Sequence, residues 1–282
     1  MSLVVNAHTA RIATSLNRAG LGAVNRAAKR VLRRFSRGGS LRARAGDLVF
    51  EGPVESWRVL SQIAAGGLEA YELELFRAAL EPGMTVVDVG ANIGYYTVHA
   101  AHAVGSTGRV HAFEPDPRTA ESLRANIVRN RLANVTVHEC AVSAGSGSRE
   151  LILSGTASHS GLSRTMDETS IVGSTTVQAV ALDDVLDGAS VDVMKMDVEG
   201  EEPFALQGME RTLAASRRLR LFVEFSPAAL EAAGSSAQEF LAMLRSLFDK
   251  VEIIDEAERR LVEATEERLT ERRNLLCSRT VA

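Results

Sequence analysis

Val86-Val87-Asp88-Val89-Gly90-Ala91-Asn92-Ile93-Gly94-Tyr95-Tyr96-Thr97 reads as a buried strand that enters a small-residue turn and leaves it as a helix. Gly90 and Gly94 admit backbone angles closed to other residues, and their missing side chains would let a ligand lie against the main chain. Asp88 breaks an otherwise β-branched run. A carboxylate there is costly unless satisfied, so at the strand's carboxyl end it is expected to face backbone N–H groups or a ligand. The dinucleotide fingerprint G-x-G-x-x-G is absent, and an acid precedes the turn. A pyrophosphate is therefore disfavoured. S-adenosylmethionine, with a cationic amino group and sulfonium, suits an acidic turn better.

Outward from the turn, strand and helix alternate. Residues 97–104 continue the first helix, residues 109–114 form a second strand, residues 118–130 an amphipathic helix and residues 135–140 a third strand. That alternation predicts a mostly parallel sheet covered by helices. Glu114 closes the second strand twenty residues after Gly94, where such folds place an acid on ribose hydroxyls. Each charge-assisted bond of that kind is worth roughly 1.5–3 kcal/mol.

Upstream, residues 48–50 and 57–60 read as short strands, and residues 67–80 as a helix stopped by Pro82-Gly83. Downstream, residues 143–180 are rich in Ser, Thr and Gly, with strands expected at 151–153 and 176–180. An insertion of this length between core elements is a candidate substrate lid, and His159 and Arg164 are its chemical residues. Next comes Val191-Asp192-Val193-Met194-Lys195-Met196-Asp197-Val198-Glu199-Gly200-Glu201-Glu202, a strand ending in charge. Glu201 and Glu202 are explained by a helix dipole, whereas Lys195 and Asp197 precede the helix on same-facing strand positions at the sheet's ligand-binding edge. Glu224 interrupts another apolar strand at 220–225, and its burial demands a partner. Residues 237–248 are expected as helix, 251–254 as strand, 257–273 as a charged stretch and 274–278 as a final strand.

Composition narrows the class. The chain has 282 residues, enough for one sizeable core and an appendage, with 45% hydrophobic and 24% charged residues. No apolar run approaches the roughly 20 residues that cross a bilayer, and the first thirty residues lack a secretory pattern. An integral membrane protein is not expected, and a cytoplasmic one is. Cys140 and Cys277 read as small core residues; the converging carboxylates leave metal dependence open, while no ordered ligand spacing demands a metal. Residues 1–45 hold ten basic side chains and no acid, leaving the remainder with 22 basic against 36 acidic residues. This basic helical extension is expected to pack on its own acidic body or on a second subunit, an anionic surface being the alternative. The catalytic domain is expected over residues 46–282.

Taken together, Val87-Asp88-Val89-Gly90-Ala91-Asn92-Ile93-Gly94, Phe113-Glu114-Pro115, Lys195-Met196-Asp197-Val198-Glu199-Gly200 and Val223-Glu224 resemble the FkbM family of S-adenosylmethionine-dependent methyltransferases. The resemblance covers roughly residues 67–226. It implies a class I methyltransferase Rossmann-like fold: an α/β architecture with a mostly parallel seven-stranded sheet, an antiparallel last strand and helices on both faces. It further implies O-methylation of a hydroxyl on a small-molecule acceptor, a sugar or a natural product. Carried over by position, Asp88, Gly90, Asn92 and Gly94 would line the methionine part of the cofactor, Glu114 its ribose, and residues 139–142, with Cys140 and Ala141, its adenine; Tyr95 and Pro115 would also touch the cofactor. Asp197 would stand beside the methyl group, with Lys195, Glu199 and Glu224 around the acceptor. An alcohol is a weak nucleophile and a base helps, so Asp197 or Glu199 is expected in that role, with His159 as an outside candidate. Lys195 is expected to hold a carboxylate or the acceptor, or, if desolvated, to serve as the base itself. A nicotinamide oxidoreductase is disfavoured by the missing glycine. A nucleic-acid methyltransferase is disfavoured by 5% aromatic content and an arm without stacking residues. A cofactor-binding partner protein without turnover is the non-enzymatic alternative.

Overall fold

The computed structural model describes residues 3–4, 40–154, 161–162 and 171–279. The expectations for the arm at residues 8–35 and for His159 and Arg164 fall outside these described residues.

The chain opens with β1 (Leu3–Val4), β2 (Ser40–Ala45) and β3 (Leu48–Pro53), a small sheet in that order, followed by helices α1 (Trp57–Ala65) and α2 (Ala70–Ala78). The first half of the core then runs β4 (Thr85–Val89), α3 (Tyr95–Val104), β5 (Arg109–Phe113), α4 (Pro117–Arg129) and β6 (Val135–His138). A second small sheet comprises β7 (Ala141–Val142), β8 (Gly147–Ser154) and β9 (Ile171–Val180), with β9 in the middle. After it come α5 (Leu182–Leu186), β10 (Val193–Met196), α6 (Glu202–Gln207), α7 (Glu210–Ala215) and β11 (Arg220–Phe225). The last elements are α8 (Pro227–Ala232), α9 (Ala237–Leu247), β12 (Lys250–Asp255), β13 (Arg260–Glu263) and β14 (Arg273–Ser278).

The central sheet has the order β13-β12-β14-β11-β10-β4-β5-β6. Strands β6, β5, β4, β10 and β11 are mutually parallel, and β14 inserts antiparallel between β11 and β12. This is the Rossmann-like arrangement the sequence predicts, with the final strand reversed. An eighth strand, β13, is added at the edge, inside the stretch expected only to be charged.

Period-two alternation divides the core. Val87, Met194, Met196, Leu221 and Val223 pack on one face with Leu206, Leu230, Phe240 and Leu244. Val86, Val193 and Phe222 pack on the other with Leu60, Phe76 and Val98. Lys195 and Asp88 share the parity of the second face, and both side chains are buried there.

Three local expectations change. Residues 57–60 are the first turn of α1 and not a strand: Trp57, Leu60 and Ile63 form its buried stripe, a spacing that four residues are too few to reveal. The third strand stops at His138, and the chain crosses to the second small sheet before Ala141. Within residues 143–180, β8 and β9 form an antiparallel hairpin longer than the two short strands expected.

Candidate active site

The turn after β4 is held by its own backbone. Gly90 N–H and Ala91 N–H both donate to the Phe113 carbonyl, at 3.0 and 2.9 Å, and Asp197 N–H donates to the Val89 carbonyl at 3.0 Å. Gly90 has φ +83°, and a Cβ there would lie 2.0 Å from the Asp197 carbonyl oxygen. A Cβ on Gly94, at φ +91°, would lie 2.6 Å from a Leu123 methyl group. Close approach of the protein to itself therefore demands both glycines. Asp88 accepts from Thr97 Oγ1–H, and burial pushes its carboxyl up to about 6.

Glu114 joins this turn to the next. Its Oε2 accepts from Asn92 N–H at 2.8 Å and its Oε1 from Asp116 N–H at 2.9 Å. Burial raises it to about 7 in spite of those bonds. Asn92 itself sits at φ +51°, and its side-chain oxygen accepts from Ile93 N–H.

The charged cluster after β10 is resolved into distinct jobs. Lys195 Nζ lies 2.9 Å from Glu72 Oε1 on α2, with both side chains sealed from solvent, and the Tyr96 ring is 5.1 Å from the ammonium. Lys195 thus holds a carboxylate, one of the roles expected of it, and against the cost of burial its acidic neighbours, Glu72 first, raise its pKa. Glu202 folds the following loop: its two oxygens accept from Val198 N–H and Gly200 N–H, each at 3.0 Å. Glu224 finds the partner its burial requires in Arg272, whose guanidinium pairs with Oε1. Asp197, Glu199 and Glu224 each bring a carboxylate oxygen within 4.8 Å of the other two. Burial, with Asp197 nearby, raises Glu199 to about 7.

These elements border one cleft of about 630 Å³. Asp88, Gly90, Asn92, Tyr95, Glu114, Pro115, Cys140, Ala141, Lys195, Asp197 and Glu199 all line it. Gly94 instead packs behind the turn on Leu123, and Glu224 lies beneath the lining, against Asp197 and Glu199. Leu151, Gly161 and Leu162 bring the hairpin insertion to the cleft wall. The donor set fits S-adenosylmethionine. Acids at 88 and 197 flank the turn for its positive groups, and a strand-end acid is available to its ribose.

Sequence reasoning missed Glu72 and Arg272. Glu72 lies among Glu69 and Glu74 on a helix that reads as a solvated face, and Arg272 lies in a charged stretch. The one signal available was indirect: Lys195 and Glu224 on core strands each needed an opposite charge.

The FkbM methyltransferase domain model matches residues 88–251, more than half of the chain, and a protein-L-isoaspartate(D-aspartate) O-methyltransferase model matches residues 14–149. The 31-O-demethyl-FK506 methyltransferase FkbM of Streptomyces tacrolimicus is 49% identical over 72 residues, 26% of this chain. A probable cobalt-precorrin-6B C(15)-methyltransferase (decarboxylating) of Sulfolobus acidocaldarius is 39% identical over 67 residues, 24% of this chain. The chain spans 27% and 35% of the lengths of these two curated relatives. Among solved structures, a SAM-dependent O-methyltransferase from Thermotoga maritima aligns with a TM-score of 0.45 at 17% identity, over 77% of this chain and 66% of that one. The turn, the strand-end Glu114 and the loop from Lys195 to Gly200 all fall within the matched span; S-adenosylmethionine is the cofactor, and the chain belongs to the FkbM methyltransferase domain family.

Proposed function

We propose that this chain is an O-methyltransferase that moves the methyl group of S-adenosylmethionine to a hydroxyl of a small-molecule acceptor, a sugar or a natural product. The observation that carries the reading is the contact between Gly90 and Asp197, which sets a carboxylate-bearing residue directly against the cofactor turn. When bound, the cofactor supplies an electrophilic methyl group on a positively charged sulfur.

This chain's residues do the rest. Asp88 and Asp197 favour positive charge at the turn, and Glu114 keeps lone pairs for ribose hydroxyls while its loop hydrogen bonds hold it still. Glu199 takes the proton from the acceptor hydroxyl. A carboxyl raised to about 7 is matched to that task near neutral pH, and it lines the cleft where an acceptor would enter. Leu68, Leu151 and Leu162 give the cleft an apolar wall that excludes water and accepts a carbon skeleton. The resemblance of one segment to a 31-O-demethyl-FK506 methyltransferase supports a hydroxyl acceptor over a cobalt-precorrin.

The first experiment is calorimetric titration with S-adenosylhomocysteine, alongside NADH and NADPH, followed by an acceptor screen of glycosides and hydroxylated natural products. Glu199→Gln and Asp197→Asn are expected to bind the nucleoside and to lose roughly 10²-fold or more in turnover. Turnover at the parent rate in both variants would sink the assignment.

A further inference from the structure

Asp197 and Glu199 sit on the loop after β10 and Glu224 sits on β11, yet the sheet brings an oxygen of each within 4.8 Å of the others. Three like charges at that spacing repel strongly unless a cation lies among them or a carboxyl keeps its proton. Among the described residues, Arg58 and Arg272 act electrostatically on Glu199. Lys195 is paired with Glu72. Arg272, 49% exposed, reaches Glu224 through Oε1 alone. Among the described residues Glu224 Oε2 is fully buried with no hydrogen-bond donor, on a side chain only 1% exposed. A buried carboxylate oxygen without a partner is costly, and this one belongs to the same cluster as two cleft-lining carboxylates.

We propose that Asp197, Glu199 and Glu224 form a binding site for a divalent cation of the hard, oxygen-seeking class, Mg²⁺ or Mn²⁺. The donor set selects that class. It contains carboxylate oxygens and neither imidazole nor thiolate, so zinc and copper are disfavoured. Arg272 pairs directly with Glu224, and an acidic cluster draws a doubly charged ion more strongly than a singly charged one. Because Asp197 and Glu199 line the cleft, the rest of a six-coordinate shell is open to water and to an acceptor oxygen. The ion's role toward the acceptor rests on the methyltransferase reading; the ion site itself rests only on the three carboxylates. In that role the ion orients the hydroxyl and makes its proton easier to remove, so with the ion bound Glu199 acts as its ligand and not as a free base.

The test is titration of the full chain with Mn²⁺, followed by electron paramagnetic resonance and calorimetry and run without nucleoside, with Mg²⁺ as competitor. One saturable Mn²⁺ per chain is expected. Glu224→Gln and Glu199→Gln should each weaken it by roughly tenfold or more, the scale on which even outer-shell changes act. Arg272→Gln should tighten it, because a competing cation leaves Glu224; a purely structural role for the cluster would not produce that gain. S-adenosylhomocysteine affinity and circular dichroism confirm that each variant is folded. Absence of saturable Mn²⁺ binding by protein that binds the nucleoside overturns the ion site, as does binding unchanged in both glutamine variants. Failure to bind the nucleoside, with Mn²⁺ binding intact, overturns the methyltransferase reading alone.

Discussion

Lys195 and Glu72 meet 2.9 Å apart with 2% and 0% of their side chains exposed, so the centre of the sheet is tied to α2 by an ion pair closed to water. Asn274 donates to the other oxygen of Glu72, and Glu256 accepts from the backbone N–H groups of Tyr71 and Glu72. Removing one partner strands a buried charge, which costs about 3–5 kcal/mol. Lys195→Met is therefore expected to lower the urea midpoint sharply, and Lys195→Met with Glu72→Leu to recover most of the loss. A double variant no more stable than the single one would show that the two charges are not coupled.

Glu114 has two functions that substitution can separate. Glu114→Ala removes both loop acceptors and the ribose acceptor, so S-adenosylhomocysteine affinity should fall by roughly 1.5–3 kcal/mol for each charge-assisted bond lost. Glu114→Gln keeps one acceptor oxygen and should bind between parent and alanine variant. Calorimetry decides the order; unchanged affinity in the alanine variant would remove Glu114 from the cofactor site.

The buried carboxyls give stability a definite pH dependence. Burial raises Glu72, Glu114, Glu199 and Glu202 to about 7 and Asp88 to about 6, from ordinary values of 4.5 and 3.8. Each binds its proton more tightly in the folded chain. Its contribution is complete below the ordinary value and is lost as pH rises through the folded one. His99 acts oppositely: burial lowers it to about 4 from 6.5, so its contribution is lost as pH falls between those values. Comparing Glu114→Gln with the parent cancels the common terms. Between pH 5 and about 8 the difference in thermal midpoint should move in the variant's favour. A constant difference would mean that Glu114 is ionised throughout.

Two glycines with similar φ should respond differently to alanine. At Gly105, φ +66° and ψ −171° with nothing within 4 Å of a new Cβ among the described residues, only backbone strain of about 1–3 kcal/mol is expected. At Gly90, φ +83°, the Cβ collides with the Asp197 carbonyl, adding an overpacking cost of about 1–3 kcal/mol. Gly90→Ala should lower the thermal midpoint further than Gly105→Ala and also weaken S-adenosylhomocysteine binding; equal effects would mean that the two loops part without cost.

The turn after β4 and the acids at the ends of β4 and β5 were legible because their signals are local. The positive φ at Gly90 and Gly94, the acid closing β4 and the acid closing β5 are requirements of a few consecutive residues, and they appear as short motifs. The stated reason for the glycines was nevertheless incomplete, since Asp197 and Leu123, which crowd them, arrive from elsewhere in the chain. The stretch at residues 57–60 was misread for the complementary reason: Trp57 and Leu60 suit strand and helix alike until Ile63 completes the stripe.

The sequence by itself determined the alternating architecture, the acidic turn, Glu114 at a strand end and the loop from Lys195 to Gly200, because hydrophobic period and backbone demands are written residue by residue. Only the tertiary structure decided that Lys195 answers Glu72, that Arg272 answers Glu224, and that Asp197, Glu199 and Glu224 converge. Those partners come from a helix and from the residue just before an antiparallel strand, far apart along the chain. Charge pairing has no sequence period: it exists only once the sheet has set β10, β11 and β14 side by side.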